Sequence, residues 1–378
     1  MRTIAHMDLD TFFVSVERLK DSRLNDRPIM VGGTGGRGVV SSCSYEARQF
    51  GVQSGMPMRL ARRLCPHGVV MKGDFDAYTQ YSQGITEIIK EESPIYEKAS
   101  IDEFYIDMTG MERFFGGTKW AKNLRQRVIR ETGLPISLGV SVNKMVSKVA
   151  TGEAKPNGAR EVKDQEVQNF LGPMPVRKIP LIGKQMSLDL AYMGVKKVKT
   201  LRGIPRELLE CAFGKHGTML YRRARGEDDA PVVQHSEQKS MSSERTFAED
   251  TMDIHKLKAL LTSMTEKLAF KLRQSDRLTA CVTVKIRYTD FDTVSRQAKI
   301  PYCASDEVLI EKALSLFDTL YQRRVRLRLV GIKFSHLVPG KPQIRLFESI
   351  PRQVDLYQAL DTLKDRYGSD CVVRASGM

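Results

Sequence analysis

The chain has 378 residues, and its 60 Lys and Arg residues outnumber its 45 Asp and Glu residues, which gives a formal net charge of +15. This length is more than one hydrophobic core usually supports, so we expect roughly two to four domains. The positive charge indicates a polyanionic partner. Nucleic acid is favoured over an anionic membrane, because the sequence shows no signal peptide, no apolar run long enough to cross a bilayer and no lipidation motif. We therefore expect a cytoplasmic monomer without membrane association.

The six cysteines indicate the same compartment. They are scattered along the chain, with no CxxC pair and no histidine that would complete a zinc site. Reduced thiols are therefore expected rather than disulfides.

Two adjacent carboxylates, Asp102 and Glu103, interrupt an otherwise apolar stretch. Residues 96–100 and 104–108 both have the pattern of extended strands, so the acidic pair is predicted at the tight end of a β-hairpin. A solvated turn is the alternative interpretation, and it would be the better one for an acidic pair taken at random.

A third carboxylate is predicted close to this pair. Residues 2–8 read as a first strand that ends in Asp8, and if this strand lies beside the hairpin in one sheet, the three side chains converge. Clustered carboxylates with open coordination positions suit Mg²⁺, which is usually completed by water and substrate phosphates. Two such ions could clamp the attacking and leaving oxygens of a phosphoryl transfer. The sequence therefore predicts a two-magnesium site formed by Asp8, Asp102 and Glu103.

The elements around this site follow the order strand, helix, strand, strand, helix, strand, which is the split βαβ plan. After the first strand, the predicted elements are a helix from residue 76, the hairpin, a helix at 119–131, a strand at 136–142 and a helix at 144–154.

Residues 11–72 are inserted after the first strand. Asp10 is predicted to cap the helix that follows it, which is a structural role. The glycine-rich run at 32–38 joins two short predicted strands. It lacks the GK[ST] ending of a phosphate loop, so we interpret it as a flexible hairpin loop.

Residues 166–232 have a different character, with short helices broken by glycine and proline. A helix, a tight turn at Gly183 and Lys184, and a second helix would present backbone amides to a phosphate, as in helix-hairpin-helix DNA binding. Such turns also occur in any small helical bundle. The polar residues 233–240 are predicted to be a linker.

A second split βαβ module is predicted after the linker. Its strands cover residues 242–247, 279–288, 293–299 and 326–334, and its helices cover residues 254–274 and 306–322. Alternation directs Ala280, Val282, Val284, Ile286 and Tyr288 inward, and Thr283, Lys285 and Arg287 outward. The alternation slips around Gly331, which predicts a β-bulge there.

Basic residues are concentrated on this second module. Lys285, Arg287, Arg296 and Lys299 are predicted on the outward face, and Arg323, Arg324, Arg326 and Arg328 surround the last strand. A charge run is usually a solvated surface. On the strands of a separate, tethered domain, a phosphate-tracking surface is the better interpretation. The predicted DNA contacts are Lys285, Arg287, Arg296, Arg326 and Arg328, with Gly183 and Lys184 of the earlier helices.

Several separated motifs occur in an order that resembles one enzyme family. They are HMDLDTFFVSVE at residues 6–17, YEARQFGV at 45–52, SIDE at 100–103, SVNK at 141–144 and KPNG at 155–158. Together they resemble the DinB-type Y-family DNA polymerases, which are the translesion enzymes of the DNA polymerase IV group. The resemblance extends from about residue 2 to about residue 340, and the acidic pair is its most specific match.

The resemblance implies a multidomain α+β fold shaped like a right hand. The palm would be a βαββαβ unit of residues 1–10 and 73–165, the small fingers residues 11–72, and the helix-hairpin-helix thumb residues 166–232. The linker 233–240 would lead to a βαββαβ little finger at 241–341 and a tail at 342–378.

The resemblance also implies an activity and its site residues. The activity is template-directed addition of dNTPs to a primer 3′ end by two-metal phosphoryl transfer, with low fidelity and without proofreading. Asp8, Asp102, Glu103 and the carbonyl of Leu9 would bind two Mg²⁺ ions. Tyr45, Arg48 and Lys155 match the triphosphate-binding positions, and their types suit phosphate, since Arg offers a bidentate fork and Lys a point charge.

Phe13 falls at the position of the family's steric gate, where an aromatic ring occupies the space that a ribose 2′-hydroxyl would need. A core phenylalanine is the alternative interpretation. Phe12 and Phe13 are adjacent, however, and cannot both face the core from one helix.

The sequence departs from the family pattern in the thumb loop. That loop usually reads glycine, apolar, glycine, whereas here it is Leu181, Ile182, Gly183, which calls one close approach to a DNA phosphate into question.

The residues after the second module resemble a peptide that docks on a sliding clamp. In the run QIRLF, Gln343, Leu346 and Phe347 would contact the clamp. An amphipathic helix is predicted after this peptide, at residues 354–367.

Two other functions remain open at this point. A non-catalytic DNA-binding or clamp-bound scaffold would carry a similar charge, but it would not need an intact set of acidic and triphosphate-binding residues. A nucleotidyl cyclase can also place acidic ligands on a βαββαβ palm, but it would need neither the thumb nor the basic second module.

Overall fold

The computed structural model describes residues 2–111, 116–235, 237–340, 350–368 and 370–377. The chain divides into two compact units, Met1–Ser236 and Glu237–Met378. Each unit has its own hydrophobic core. Among the described residues, no helix combines the length and the apolar character needed to cross a membrane. All six cysteines are free.

The first unit contains a larger and a smaller sheet. Its strands are β1 (Ile4–Leu9), β2 (Ile29–Gly32), β3 (Val40–Cys43), β4 (Val69–Met71), β5 (Tyr96–Lys98), β6 (Glu103–Asp107), β7 (Ile136–Ser141) and β8 (Ala159–Glu161). Its helices are α1 (Phe12–Lys20), α2 (Tyr45–Gln49), α3 (Met58–Leu64), α4 (Phe75–Glu92), α5 (Gly117–Thr132), α6 (Lys144–Ala154), α7 (Val167–Leu171), α8 (Lys184–Tyr192), α9 (Val198–Arg202), α10 (Arg206–Phe213) and α11 (Lys215–Ala224).

The larger sheet has the strand order β5-β6-β1-β7-β8. The succession β1, α4, β5, β6, α5, β7 confirms the predicted split βαβ plan, and β8 adds a parallel edge strand that the sequence pattern does not indicate. Ala5, Met7 and Leu9 of β1 belong to the core that α4 and α5 also line. Because side chains alternate along a strand, His6 and Asp8 point to the opposite face of the sheet.

Helix α6 crosses that opposite face at close range. A Cβ atom at Gly139 of β7 would lie 2.1 Å from the carbonyl oxygen of Ser147 in α6, so only glycine fits there. The close crossing brings Oγ1 of Thr151 within 2.8 Å of Nδ1 of His6. One face of α6 therefore lies along the strands that carry the acidic residues.

The inserted residues form the smaller sheet, in which β2 pairs antiparallel with β3 and parallel with β4. The glycine-rich run joins β2 to β3 as a loop, as predicted, and α2 and α3 share a small core with the sheet. The predicted capping role of Asp10 is wrong. Thr11, rather than Asp10, is the N-cap residue of α1, with φ of 44°, and its side chain makes no capping hydrogen bond within the described part of the chain.

The short helices from α7 to α11 form a bundle whose core includes Met145 and Val149 of α6. After α11 the chain runs back along the larger sheet, where the amide of Val233 donates to Oε2 of Glu97 at 2.8 Å. Nδ2 of Asn143 donates to the carbonyl of Gly226 at 2.7 Å. The first residues of the predicted linker are therefore bound to the first unit.

The second unit contains β9 (Ser240–Thr251), α12 (Ile254–Gln274), β10 (Arg277–Tyr288), β11 (Thr293–Cys303), α13 (Asp306–Leu320), β12 (Leu327–Pro339) and α14 (Ile350–Tyr367). Its antiparallel sheet has the order β11-β10-β12-β9. The predicted βαββαβ succession is confirmed. In this sheet the second and fourth strands of the βαββαβ unit, β10 and β12, are central. In the βαββαβ unit of the larger sheet, which consists of β1, β5, β6 and β7, the first and third strands, β1 and β6, are central.

Alternation along β10 agrees with the predicted inward set from Val282 to Tyr288. Ala280 is half-buried instead, because the register of β10 against β11 shifts between Thr279 and Cys281. The strand therefore follows strict alternation only after this irregularity.

The predicted bulge at Gly331 is wrong, because Gly331 pairs in register with Lys285 on one side and Glu244 on the other. The shift of β12 against β9 lies between Leu327 and Leu329. A Cβ atom at Gly331 would lie 2.8 Å from Cγ of Glu244. Glycine at this position thus makes room for a neighbouring side chain.

Helix α14 confirms the helix predicted in the tail, and charged side chains attach it to the second unit. Arg273 of α12 donates to both carboxylate oxygens of Asp361, at 2.7 and 2.9 Å. Lys364 donates to Glu266 at 3.0 Å, and these two residues are 4% and 6% exposed. The predicted clamp-binding residues Gln343, Leu346 and Phe347 lie outside the described residues.

Candidate active site

The acidic pair lies in the hairpin of β5 and β6, and Glu103 is the first residue of β6. Glu103 is directly opposite Asp8 in the antiparallel pairing of β1 with β6. The amide of Leu9 donates to the carbonyl of Asp102 at 3.0 Å, which ties the turn to the end of β1. The structure therefore brings Asp8, Asp102 and Glu103 to the same end of the two central strands.

The surroundings of Asp8 change its affinity for a proton. Burial raises the pKa of the Asp8 carboxyl from 3.8 to about 7, Lys155 opposes this shift, and the charges of Glu103 and Asp102 add to it. Negative charge is therefore concentrated at this point, and a bound cation would relieve the repulsion.

Lysine side chains contact two of the three carboxylates. Lys155 forms an ion pair with Asp8, and Nζ of Lys148 lies 2.5 Å from Oε2 of Glu103. Asp102 instead accepts a hydrogen bond from the hydroxyl of Ser100, with 2.5 Å between the oxygens. Among the described residues, no three His, Cys, Asp or Glu side chains are arranged closely enough to hold a metal ion.

The chemistry of these donors nevertheless fits Mg²⁺. All three are hard carboxylate oxygens, and burial, together with the charges of Glu103 and Asp102, raises the pKa of Asp8. The side chains of Asp8 and Glu103 keep 15% and 22% of their surface exposed, so a cation can reach them. A divalent ion bound here would replace the ammonium groups of Lys148 and Lys155.

His6 lies two residues before Asp8, on the same face of β1. Its ring is fully buried, and its Nε2 atom has no hydrogen-bond partner in the described part of the chain, with Oε2 of Glu103 at 4.0 Å. Burial, followed by the charges of Lys148, Lys155 and Lys144, holds the pKa of His6 well below its usual range. His6 is therefore a neutral ring beside Glu103.

Asp10 connects the segments around the acidic cluster. Its carboxylate accepts hydrogen bonds from the hydroxyl of Tyr45 at 3.3 Å, the hydroxyl of Ser137 at 2.8 Å and the amide of Asn157 at 2.6 Å. Nζ of Lys155 lies 3.7 Å away. Asp10 is 1% exposed, so these contacts are made away from water. The role of Asp10 is to hold Tyr45 and Lys155 beside the cluster.

Tyr45 and Arg48 lie on α2, whose first turn is capped by the hydroxyl of Ser44. The guanidinium carbon of Arg48 lies 4.9 Å from the ring centroid of Tyr45. Burial raises the pKa of the Tyr45 hydroxyl, so this group remains a hydrogen-bond donor. The structure therefore places the two residues together, with Arg48 exposed to solvent.

Phe12 and Phe13 have different surroundings on α1. Phe12 is 3% exposed and belongs to the core, whereas Phe13 is half-buried at the edge of that core. The ring of Phe13 stacks on the ring of Tyr78, with centroids 4.3 Å apart and planes at 11°. Tyr78 in turn donates to Glu17 at 2.6 Å. The stack holds the Phe13 ring in one orientation.

The turn at residues 181–183, called the thumb turn below, leaves the N-terminal end of α8 open. Gly183 is the N-cap residue of α8 and Lys184 is its first residue. Apart from Gly183 and its two chain neighbours, no atom of the described residues lies within 4 Å of the position that a Cβ would take there. Leu181 has φ of 71° and is 72% exposed, so this leucine adopts the left-handed conformation that favours glycine.

The sheet of the second unit carries fewer free cations on its open face than the sequence suggests. Lys285 pairs with Glu244 at 2.8 Å, and Arg287 donates to the hydroxyl of Thr293 at 2.7 Å. The predicted outward position of Arg296 is wrong. Arg296 is opposite Val284, which faces the core, so it projects on the side that the helices cover.

Arg326 and Arg328 flank the start of β12. Arg326 is exposed, and the guanidinium of Arg328 lies 4.5 Å from the ring centroid of Phe291. Lys333, which sequence reasoning did not select, is exposed on the open face opposite Thr283.

His6 and Lys144 lie within the matched motifs but received no role from the sequence, and Lys148 lies outside these motifs. Lys144, Lys148 and Lys155 are four and seven residues apart, a spacing that places them on one side of a helix. His6 precedes Asp8 by two residues, the period of a strand face. These spacings were the available signals.

Three family models match the chain. The model described as "impB/mucB/samB family" matches residues 7–152, and "impB/mucB/samB family C-terminal domain" matches residues 238–346. The model described as "DNA polymerase-iota, thumb domain" matches residues 177–228.

Similar proteins are matched over nearly their whole length. DNA polymerase IV of Dehalococcoides mccartyi strain BAV1 is 36% identical over 376 residues, which are 98% of this chain and 96% of that protein. DNA polymerase IV of Methanoculleus marisnigri is 37% identical over 343 residues, which are 90% of this chain and 95% of that protein.

Solved structures share the same architecture. The Y-family DNA polymerase chimera Dbh-Dpo4(243-245)-Dbh has a TM-score of 0.78 and 25% identity, and the match covers 89% of this chain and 100% of that chain. DinB from Sulfolobus solfataricus has a TM-score of 0.62 and 25% identity over the same shares.

Proposed function

Since the chain belongs to the DNA polymerase IV family of Y-family DNA polymerases, we propose that it extends a primer 3′ end on a DNA template by two-metal phosphoryl transfer. The biological role proposed is translesion synthesis at low fidelity and without proofreading. The observation that carries the proposal is the position of Asp8 opposite Glu103, with Asp102 in the adjoining turn.

Asp8, Asp102, Glu103 and the carbonyl of Leu9 are the groups proposed to hold two Mg²⁺ ions. When bound, these ions would activate the primer 3′-hydroxyl and neutralise charge on the triphosphate. The contribution of the chain is to supply anionic oxygens from two adjacent strands and the turn between them. Burial keeps these oxygens in a medium where they interact strongly with a cation.

Lys155, Arg48 and Tyr45 are proposed to bind the triphosphate. Lys155 already lies between Asp8 and Asp10, and it can offer its ammonium group to a phosphate oxygen that arrives there. Arg48 is exposed and can form a two-pronged contact. Tyr45 is a neutral donor. These three residues orient the chain of phosphates against the acidic cluster.

Phe13 is proposed to act as the steric gate that rejects ribonucleotides. Its stack on Tyr78 supports this role, because a gate must stay in place when an extra hydroxyl pushes against it. Tyr78 is fully buried and therefore gives the Phe13 ring a rigid support.

Primer-template DNA is the proposed macromolecular ligand. The amides at Gly183 and Lys184 would meet a backbone phosphate, as helix N-termini do. In the second unit, Lys285, Arg287, Arg326 and Arg328 would track phosphates along the open face and the start of β12. Arg296 lies on the side of the sheet that the helices cover, so it is not included in this set.

Primer extension tests the catalytic assignment. Asp102→Ala and Glu103→Ala should each reduce Mg²⁺-dependent extension by about a thousandfold or more, because each removes a proposed metal ligand. Affinity for primer-template should stay within about twofold of wild type, since phosphate contacts elsewhere dominate binding. Asp107→Asn, at the far end of β6, is the matched control and should extend normally. Undiminished extension in both alanine variants would refute the assignment of these metal ligands. The wild-type assay separates the functions, because a scaffold or a nucleotidyl cyclase would not extend the primer.

Sugar selection tests the gate separately. Phe13→Val should incorporate rNTPs at a rate closer to that of dNTPs, because the smaller side chain leaves room for the 2′-hydroxyl. Single-nucleotide incorporation with paired dNTP and rNTP substrates measures the ratio. An unchanged ratio would exclude Phe13 as the gate.

A sliding clamp is proposed as a protein partner through Gln343, Leu346 and Phe347. This proposal rests on the sequence motif alone. A pull-down with the triple alanine variant should lose the clamp while retaining DNA, and full retention of the clamp would count against the peptide.

A further inference from the structure

Helix α6 presents a line of side chains to the acidic strands. Three of these side chains lie on one face of the helix, and the fourth belongs to Lys155, the residue that directly follows α6. Their contacts are Lys144 with Glu97 at 2.6 Å, Lys148 with Glu103 at 2.5 Å, Thr151 with His6 at 2.8 Å, and Lys155 with Asp8.

Lys148 differs from the other lysines in its partner. Lys144 pairs with Glu97 of β5, which is not one of the proposed metal ligands, and Lys155 has a proposed partner in the triphosphate. Lys148 pairs with Glu103 itself, and its Nζ atom lies at the oxygen, Oε2, that also faces His6. No role in substrate binding has been assigned to it.

An ammonium group and a divalent cation cannot occupy the same position on Oε2 of Glu103. Nζ of Lys148 lies 2.5 Å from this oxygen, whereas Nε2 of His6 lies 4.0 Å from it, so Lys148 is the closer of the two basic side chains. Asp102 makes no ion pair with a lysine within the described residues, and it can meet an incoming cation without displacing one.

Lys148 also has space to move away. It lines a cleft of about 280 Å³ between α6 and the loop that precedes α8, together with Glu153, Arg177 and Lys178. Its side chain is 35% exposed. A lysine with four rotatable bonds can turn from Glu103 into this cleft without any movement of the backbone.

We propose that Lys148 is a built-in counter-ion of Glu103 that competes with the divalent cation, so that metal binding at Glu103 is coupled to the release of this lysine. The inference rests on the proposed function, because it takes Glu103 as a metal ligand. Lys148 is thus a positioning residue: it holds the Glu103 carboxylate in place until the metal arrives, and it weakens metal binding in the absence of substrate.

Titration with Mn²⁺ tests the competition directly. Free Mn²⁺ is measured by electron paramagnetic resonance in the full chain without DNA or nucleotide. Lys148→Gln should bind Mn²⁺ about three- to tenfold more tightly than the wild type, because the competing charge is gone. Lys148→Arg, which keeps the charge, should bind as the wild type does. A merely structural lysine would not give tighter binding when it is removed.

Lys144→Gln is the matched control. It removes the same charge from the same face of α6, one turn earlier, from a partner that is not a proposed ligand. Its Mn²⁺ affinity should change by less than about twofold. If Lys144→Gln tightens binding as much as Lys148→Gln, the effect is one of overall charge, and the proposal is overturned.

A second measurement uses only the wild-type chain, so it does not depend on the folding of a variant. Reductive methylation followed by mass spectrometry reports how freely each lysine amine reacts. Addition of Mg²⁺ should increase the methylation rate of Lys148 and leave that of Lys144 unchanged. An unchanged rate at Lys148 would overturn the proposal.

The outcomes separate this inference from the proposed function. If wild-type Mn²⁺ binding is lost in Glu103→Gln but unaffected in Lys148→Gln, the metal site stands and the role of Lys148 is refuted. If Glu103→Gln binds Mn²⁺ as the wild type does, Glu103 is not a ligand, and both proposals fail.

Discussion

Asp8 and Asp10 lie two residues apart at the end of β1, and the structure gives them opposite surroundings. Asp8 is close to two other carboxylates, and burial raises its pKa to about 7. Asp10 accepts three hydrogen bonds and has a lysine nearby. A carboxylate at position 8 is therefore unfavourable for the metal-free fold, whereas the carboxylate at position 10 stabilises it.

Asp8→Asn should stabilise the metal-free protein at high pH. The folded-state pKa of Asp8 is raised above the unfolded value, so between about pH 4 and pH 7 the folded state binds more protons, and wild-type stability falls as the pH rises through this window. Asparagine does not titrate. The gain in free energy of unfolding should be about 1–3 kcal/mol at pH 8 and should disappear towards pH 4. Chemical denaturation in EDTA at several pH values measures it.

Asp10→Asn provides the contrast for this experiment. Ser137 and the amide of Asn157 both donate to Oδ2, and an asparagine oxygen in that place can still accept both bonds. Its amide nitrogen would replace Oδ1, however, and can neither accept the hydrogen bond from Tyr45 nor attract the ammonium group of Lys155. This variant should lose about 1–3 kcal/mol across the same pH range. A pH-independent stability difference for Asp8→Asn would show that its carboxylate is not the titrating group.

The site residues differ in how far the sequence could predict them. The sequence could predict the acidic cluster of Asp8, Asp102 and Glu103, because the strand period and the tight turn are local patterns. It could not predict the role of Asp10, because the partners Ser137 and Asn157 are 127 and 147 residues away along the chain. A capping role was the natural local interpretation, and tertiary hydrogen bonds replaced it.

At the scale of elements, the thumb turn combines an unusual residue with a demanding conformation. Leu181 is exposed and has φ of 71°. Asparagine tolerates this region, and a β-branched residue does not. Leu181→Asn should therefore leave the free energy of unfolding unchanged or raise it by up to about 1 kcal/mol. Leu181→Val should lower it by about 1 kcal/mol or more.

The same pair of substitutions at Leu188 is the control for this prediction. Leu188 is exposed within α8, where asparagine and valine have similar helix propensities. Thermal unfolding should rank Asn above Val at position 181 only. Equal effects of the two residues at position 181 would mean that the left-handed conformation is not a constraint there.

Helix α14 depends on an ion pair that is removed from water. Lys364 and Glu266 are almost fully buried, so the loss of one partner leaves an uncompensated charge. Lys364→Met should release α14 from α12, at a cost of about 3–5 kcal/mol or the whole docking energy if that is smaller. The double variant Lys364→Met, Glu266→Leu should restore most of the docking. Amide hydrogen exchange along α14 measures both effects.

Lys258 pairs with Asp318 at the surface of the same unit and serves as the control. Lys258→Met should change protection by less than about 1 kcal/mol, because solvent screens this pair. A double variant as unprotected as Lys364→Met would show that packing shape, rather than charge, holds α14.

Element prediction succeeded where the apolar pattern was long. The predicted helices at residues 144–154 and 254–274 have the bounds observed for α6 and α12. The three-residue strands β4 and β8 were missed, because a strand of that length is defined by its partner in the sheet and has no period of its own. The prediction of a bulge at Gly331 was wrong for a related reason. The alternation slips there because a glycine is needed to make room for the side chain of Glu244 on the neighbouring strand.

At the scale of the whole molecule, the net charge of +15 does not tell which basic side chains are free to bind a phosphate, because some of them are paired with carboxylates. On the open face of the second unit, Lys285 is neutralised by Glu244. Lys333 is exposed on that face and makes no ion pair within the described part of the chain. The affinity for DNA should therefore depend on which charges are free rather than on how many there are.

This difference can be measured as the salt dependence of primer-template binding. Each phosphate contact contributes a slope of about −0.9 to the plot of log affinity against log salt concentration. Lys333→Gln should weaken binding and make the slope shallower by about 0.9. Glu244→Gln should have the opposite effect, with tighter binding and a slope steeper by about 0.9, because it frees Lys285 for a phosphate.

Arg296→Gln completes the set, because it removes a positive charge of the same sheet from the side that the helices cover. Long-range attraction falls equally when any of these cations is lost, whereas the release of counter-ions requires contact with a phosphate. If the open face is the DNA-binding face, Arg296→Gln should lower the affinity slightly and leave the slope unchanged. A slope that changes as much in Arg296→Gln as in Lys333→Gln, with no steepening in Glu244→Gln, would mean that the open face does not track the DNA.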